Sequence, residues 1–298
     1  MSRPHVVTST ELQSLRDLEL VTKSTVEGLR QGLHRSPFHG YSAEFSQYRH
    51  YRAGDDLKYI DWKLFARTDR IYTKQFRETT NVRMQLVVDA SASMGFSDAS
   101  GVGKLAYARG LAGALAHLVA GQGDAAGLTV YDQQIRSYLA SRPGRTHLRG
   151  LLVALSKISA GGGTASAPAL RRAIDLLRAR GILILISDLY EEDESIAAEL
   201  KRAARMGHDV SVFHVLTPDE IEWPWPDEIE VEDSESGRRV VTSAAAAAEY
   251  RARMDAFVRG WRDRCASANI VYVLARTDAM PAHVLREYLL RRTGGAAR

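Results

Sequence analysis

Asp89, Ser91 and Ser93 stand at alternate positions directly after an apolar run, Leu86-Val87-Val88. A carboxylate and two hydroxyls so spaced, on a loop leaving a strand, can converge on one point. All three offer hard oxygens, the donors that Mg2+ or Mn2+ prefers. A second carboxylate, in Ser187-Asp188-Leu189, closes the strongly apolar stretch that begins at Gly181. Between the two lies Gly161-Gly162-Gly163-Thr164, a flexible loop that ends in a hydroxyl just before a helix. In open α/β sheets ligands bind beyond the carboxyl ends of the strands, where the winding direction reverses. If the strands ending at Asp89 and Asp188 are neighbours at that point, Asp89, Ser91, Ser93, Thr164 and Asp188 meet around one cation. The competing reading is capping: Asp89 for the segment after it, Thr164 for the helix after it, and Asp188 for a helix over 189–206.

Other chemistry fits less well. Ser91-Ala92-Ser93-Met94-Gly95 resembles a degraded nucleophile elbow, and Ser93, Asp188 and His214 follow the chain order of an α/β-hydrolase triad. Ser91 replaces the first glycine of that elbow, however, and His214 lies inside an apolar strand, where a packed core histidine is expected. Phosphoryl transfer through Asp89 needs a second aspartate where Ser91 stands. Gly103-Lys104 is followed by Leu105 rather than Ser or Thr, so no phosphate-binding loop is formed there. A single cysteine, Cys265, excludes an internal disulfide and a cysteine-based zinc cluster.

The elements that must position these residues follow from the pattern. Leucines 12, 15, 18 and 29 with Val26 predict a helix over 11–31. Residues 34–80 are dense in aromatics, charges and turn signals, and predict a small accessory module with strands near 47–51 and 71–77. Helices are expected over 103–121, 146–158, 167–180, 193–206, 243–265 and 281–292. Strands are expected at 86–88, 126–131, 135–139, 181–187, 210–215 and 270–274, with Asp132-Gln133-Gln134 as a hairpin turn. Strands apolar on both faces and alternating with helices imply a mainly parallel sheet covered on both sides. Residues 221–242 break the rhythm. Trp223-Pro224-Trp225-Pro226 cannot be a central strand, and the stretch reads as an inserted hairpin, with Trp223 and Trp225 either an exposed hook or packed on the main domain.

The net charge of +4 is unevenly placed. From Arg30 to Arg83 eleven Lys/Arg face six Asp/Glu, so this segment carries the whole excess. A nucleic-acid surface is one reading; charges paired within the segment or with a partner is the favoured one. No stretch has the length of continuous apolar residues that crosses a bilayer, and residues 1–20 lack the apolar core of a secretory signal. A cytoplasmic location is expected.

Asp89, Ser91, Ser93, Thr164 and Asp188 together resemble the metal-ion-dependent adhesion site of von Willebrand factor A-like domains. A second resemblance lies upstream. Gly40-Tyr41-Ser42-Ala43-Glu44-Phe45, the run Arg49-His50-Tyr51-Arg52-Ala53-Gly54-Asp55-Asp56-Leu57-Lys58-Tyr59-Ile60-Asp61-Trp62, and Ala66-Arg67 are similar to the signature of the "domain of unknown function 58" family. That family joins the signature to a von Willebrand factor A-like domain. The resemblance implies a Rossmann-like α/β fold, with a mainly parallel sheet, one antiparallel edge strand and helices on both faces. The expected division is an N-terminal helix and accessory module at 1–82, the main domain at 83–280 with its hairpin at about 221–242, and a C-terminal helix and tail at 281–298. It further implies a non-catalytic, metal-dependent binder of proteins, holding Mg2+ (or Mn2+ or Ca2+), with an acidic residue of a partner completing the coordination. A MoxR-type AAA+ ATPase is the expected partner. Within the module, Arg49, Arg52 and Arg67 beside Glu44, Asp55, Asp56 and Asp61, with Trp62, are expected to form an ion-pair lattice for docking or partner contact.

Overall fold

The run Ile182-Leu183-Ile184-Leu185-Ile186 has no polar face, so a strand made from it must be covered on both sides. In the computed structural model every residue of that strand is buried. The structure describes residues 9–30, 43–52, 55–78, 82–98, 101–163, 167–190, 194–224, 229–232, 239–242 and 246–295.

In chain order the elements begin with α1 (Ser9–Arg30), β1 (Ala43–His50), α2 (Trp62–Thr68) and β2 (Tyr72–Glu78). Next come β3 (Arg83–Asp89), α3 (Lys104–Gly121), β4 (Ala125–Tyr131), β5 (Ile135–Arg142), α4 (Arg145–Ser156) and α5 (Ala167–Asp175). They are followed by β6 (Ile182–Ser187), α6 (Ser195–Arg205), β7 (Asp209–Leu216) and α7 (Pro218–Glu222). The hairpin β8 (Ile229–Glu232) and β9 (Arg239–Thr242) precedes α8 (Ala246–Ser267), β10 (Val271–Arg276) and α9 (Pro281–Gly295).

The central sheet has six strands in the order β10-β7-β6-β3-β4-β5. All its pairs are parallel except β4 with β5, so β5 is an antiparallel edge strand. This is the mixed α/β architecture expected from sequence. From β3 the chain winds outward to β4 and β5, then returns to lay β6 on the other side of β3. The winding therefore reverses between β3 and β6, where Val88 pairs with Ile186. Alternation of side chains assigns the two faces. Val87, Leu183, Leu185, Val212 and Tyr272 join buried residues of α5, α6 and α8 in one core layer. On the other face Leu86, Val88, Ile184 and Ile186 are buried, and α3 crosses β3, β4, β6 and β7.

Two compact units emerge, one formed by residues 1–37 and 83–298, the other by residues 38–82. Helix α1, grouped by sequence with the signature segment, packs instead on α3, α4 and α9 of the larger unit. Its buried stripe is Leu15, Leu18, Thr22, Thr25, Val26 and Leu29. Gly113 of α3 makes the approach possible: a Cβ there would stand 2.6 Å from Thr22 Oγ1 and 3.7 Å from Leu18 Cδ1. Helix α9 packs against β10 and α1 in the same unit.

The smaller unit is the antiparallel hairpin β1–β2 with α2. Asp61 holds it together. Its Oδ1 accepts from the backbone N–H groups of Lys63 and Leu64, capping α2, and its Oδ2 accepts from Tyr48 Oη of β1 at 2.9 Å. Lys74 of β2 pairs with the same carboxylate at 3.1 Å.

Candidate metal centre

β3 delivers Asp89 to the carboxyl edge of the sheet, at the point where the winding reverses. Its carboxylate is buried and fully engaged: Oδ1 accepts from Ser91 N–H at 2.9 Å, and Oδ2 accepts from Ser187 Oγ at 2.6 Å. The first bond folds the chain back, so that Ser91 Oγ and Ser93 Oγ lie 3.1 Å apart. Asp188 follows β6 and is 1 % exposed. Immediately after it Leu189 adopts a left-handed φ of 58°, and its buried side chain anchors the sharp exit of the chain. For a non-glycine residue this conformation costs on the order of 1–2 kcal/mol; such strain collects where geometry serves a site.

The glycine loop runs beside the Asp89–Ser93 loop. Gly161 N–H donates to Ala90 O at 3.0 Å, and Ala92 N–H donates to Gly162 O at 3.1 Å. A clamp from the β4–β5 turn fixes it from outside. Arg136 pairs with Asp132 and donates to Ser159 O and Gly161 O at 2.7 and 2.6 Å. The glycine loop thus lies against the loop that carries the two serines; Thr164 itself lies outside the described residues.

Asp188 has a partner that the sequence reading did not assign. Lys104, at the first turn of α3, places Nζ 2.7 Å from Asp188 Oδ2 and 2.6 Å from Glu220 Oε1, with its side chain 1 % exposed. Burial alone lowers a lysine's proton affinity, but the charges of Asp188 and Glu220 outweigh it and hold the ammonium protonated. Glu220 also closes the capping box of α7, its Oε2 accepting from Thr217 N–H at 2.8 Å. Burial first, and then the charge of Asp188, lift the Asp89 carboxyl above the ordinary carboxylate range, while hydrogen bonds from Ser187 and Ser91 pull the other way. The one sequence signal for Lys104 is a lone charge in the first turn of a helix otherwise rich in alanine, leucine and glycine. Ser187, next to Asp188, and Glu220 went unassigned as well.

The residues fit a hard divalent cation. Adjacent oxygens around an octahedral Mg2+ stand about 3.0 Å apart when each metal–oxygen bond is near 2.1 Å, and the two serine hydroxyls are 3.1 Å apart. Lys104 pairs with Asp188 and Glu220, and Asp89 feels the charge of Asp188, so these three carboxylates and one ammonium leave an excess of two negative charges. Among the described residues no group of three or more His, Cys, Asp or Glu is arranged to hold a metal, so a cation here would need hydroxyls as well as carboxylates.

The competing chemistry finds no support in this geometry. His214 is fully buried in β7, with Nε2 2.9 Å from Asp188 O and Nδ1 2.8 Å from Tyr272 Oη. A carbonyl can only accept, so Nε2 carries the proton and Nδ1 accepts from the tyrosine. Burial pushes this imidazole down to about 4. It is a core histidine that holds the Asp188 backbone, and its nitrogens are committed away from Ser93. Nor does Asp188 cap α6, which starts at Ser195 behind Glu194.

In the smaller unit Arg49 pairs with Asp55 at 2.7 Å and Lys58 with Asp56 at 2.8 Å. With Lys74 on Asp61, these cations are neutralised locally, which weakens the case for a nucleic-acid surface. Arg52 contributes its backbone N–H to Asp55, and the Arg52 and Arg67 side chains form no ion pair with a described residue. Glu44 lies in β1 opposite Arg77 in the register. Trp62 is 61 % exposed and meets Phe65 edge-on. In the larger unit Trp223 is buried against Tyr250, with ring centroids 4.7 Å apart, while Trp225 lies outside the described residues. No helix among the described residues is long and apolar enough to cross a membrane.

Fold and site together define an α/β domain with an oxygen-donor cluster at the switch point of a mainly parallel sheet. The chain belongs to the family described as protein of unknown function DUF58, whose model matches residues 47–264. It is 31 % identical over 267 residues to uncharacterized proteins of Mycobacterium bovis and Mycobacterium tuberculosis, covering 83 % of this chain and 81 % of theirs. Among solved structures it is similar to the conserved hypothetical protein BatB of Bacteroides thetaiotaomicron, with 17 % identity, TM-score 0.46, and 72 % of this chain and 99 % of that one covered. It is also similar to the pilus adhesin SpaC of Lactobacillus rhamnosus GG, with 13 % identity, TM-score 0.48, and coverage of 73 % and 31 %.

Proposed function

We propose that the protein is a non-catalytic adaptor whose von Willebrand factor A-like domain grips a partner protein through a bound divalent cation, with Mg2+ as the first choice. The observation that supports this reading is that β3 and β6, paired at the reversal point of the sheet, bring Asp89 and Asp188 to the same edge, where Ser91 N–H bonds Asp89 and the Ser91 and Ser93 hydroxyls lie 3.1 Å apart. The two serines and Thr164 hold the ion, and the carboxylates act directly or through water. An incoming carboxylate from the partner fills the open position, drawn by an ion that the protein's own charges only just balance. The partner we propose is a MoxR-type AAA+ ATPase or a client it remodels, the association that the family signature implies.

Calorimetric titration of Mg2+ and Mn2+ into the full chain, with and without a cognate ATPase of that type, tests the reading. Wild type should bind one ion, more tightly with the ATPase present, and Asp89→Ala should not. Absence of binding even in the presence of the ATPase would return the five residues to capping and packing roles.

A further inference from the structure

A divalent cation and a lysine seldom share a carboxylate without consequence. Lys104 Nζ sits on Asp188 Oδ2 at 2.7 Å and on Glu220 Oε1 at 2.6 Å, sealed from solvent. The faces of Tyr190 and Phe96 lie 4.9 and 5.9 Å from it, a further seat for a positive charge. We propose that Lys104 is a resident cation of the metal centre: it neutralises Asp188 and Glu220 permanently, lets the site stand assembled without metal, and holds the affinity for the divalent ion low.

The reasoning is a charge count made where water is scarce. Without Lys104, Asp89, Asp188 and Glu220 would form a cluster of carboxylates with no opposing charge from these residues, and uncompensated buried charge is strongly destabilising. With it, two negative charges remain, which one divalent ion balances. The same ammonium repels that ion, because both lie against Asp188 and a buried pair of charges is poorly screened. Weak binding by the protein alone is what an adaptor needs if the partner's carboxylate is to decide occupancy. Lys104 also reaches past the site: Glu220 caps α7, so the centre is tied to the element from which Trp223 leaves toward α8. Lys104 is therefore a positioning residue that tunes metal affinity. This inference rests on the metal-binding reading above, and the test separates the two.

Lys104→Met keeps an unbranched apolar stem of similar length and removes the charge. Glu220→Gln added to it restores the original charge excess while leaving an acceptor for the α7 cap. For wild type, the midpoint of thermal unfolding of the full chain should rise only slightly from excess chelator to millimolar Mg2+, since a weakly held ion adds little stability. For Lys104→Met it should fall in chelator and recover in Mg2+ or Mn2+, and calorimetric Mg2+ affinity should rise by at least about tenfold. The double variant should regain part of the midpoint in chelator. An equal loss with and without metal, at unchanged affinity, would make Lys104 a packing residue only and overturn the inference while sparing the adaptor. A fall in affinity would overturn it too, since Lys104 would then serve to present Asp188 to the ion. If no variant binds metal, the adaptor reading fails; recovery of the double variant in chelator would still uphold the counter-charge, and no recovery would overturn that as well.

Discussion

Gly162 shows how far the site depends on single positions. Its φ of 82° lies in the left-handed region, and a Cβ added there would stand 2.5 Å from Asp132 Oδ2. The residue is thus required twice, for the turn and for the close pass under the Asp132–Arg136 clamp. Gly162→Ala is expected to destabilise the protein by on the order of 1–2 kcal/mol from the backbone alone, with the displaced clamp adding to it. Urea unfolding should show a lower midpoint with an unchanged slope, and the Mg2+ affinity should fall with it. A midpoint equal to wild type would mean that the loop is not held as described. The adjacent serines behave differently. Ser91 and Ser93 have no steric reason to be serine, so replacing either by alanine should leave the midpoint nearly unchanged and reduce metal binding selectively.

At the scale of elements, Asp61 joins a strand, a helix and a second strand through one carboxylate. Hydrogen bonds first from the Leu64 backbone, then from Tyr48 and Lys74, hold it far below the usual carboxylate range. A depressed folded value means that its contribution is complete above the unfolded value, near about 4, and is lost as pH falls below that. Protection of the hairpin and α2 amides, relative to their intrinsic exchange at each pH, should therefore fall as the pH is taken below about 4, and Asp61→Asn should remove most of that dependence. If protection in residues 61–68 is equally pH-dependent in the variant, another group sets the stability of this unit. The elements themselves were largely legible. The apolar run at 182–186 and the turn at 132–134 fall where the pattern put them, because strand burial and turn chemistry are local. The expected helix over 167–180 ends at Asp175, since the chain must turn before entering β6 at Ile182. Illegible were the contacts that join distant residues. Lys104 meets Asp188 and Glu220 across 84 and 116 positions, and no local period marks such a pair. The oxygen donors were visible because a loop leaving a strand keeps them adjacent.

On the scale of the whole molecule, the described chain sets its signature segment, residues 38–82, apart from a larger unit that begins before it and resumes after it. Helix α1 is the reason the larger unit starts so early. Its stripe read from sequence as one face of an amphipathic helix, but the surface it would meet could not be read, because that surface is made of absences. Gly110 and Gly113 of α3 leave room for Val21, Thr22 and Leu18, and Gly28 of α1 lies 3.7 Å from Ala282 of α9, measured from an ideal Cβ. Small residues on facing helices allow close packing, in which each buried side chain makes many short contacts. Leu29 is fully buried and Leu20 is 66 % exposed on the same helix. Leu29→Ala is accordingly expected to cost about 2–5 kcal/mol, and Leu20→Ala less than about 0.5 kcal/mol, both by urea unfolding of the full chain. If the two cost the same small amount, α1 is a detachable segment and the domain proper starts at β3. If they differ as expected, α1 is part of the core, and a chain cut before Arg83 loses the layer that steadies α3, the helix that carries Lys104 to Asp188 and Glu220.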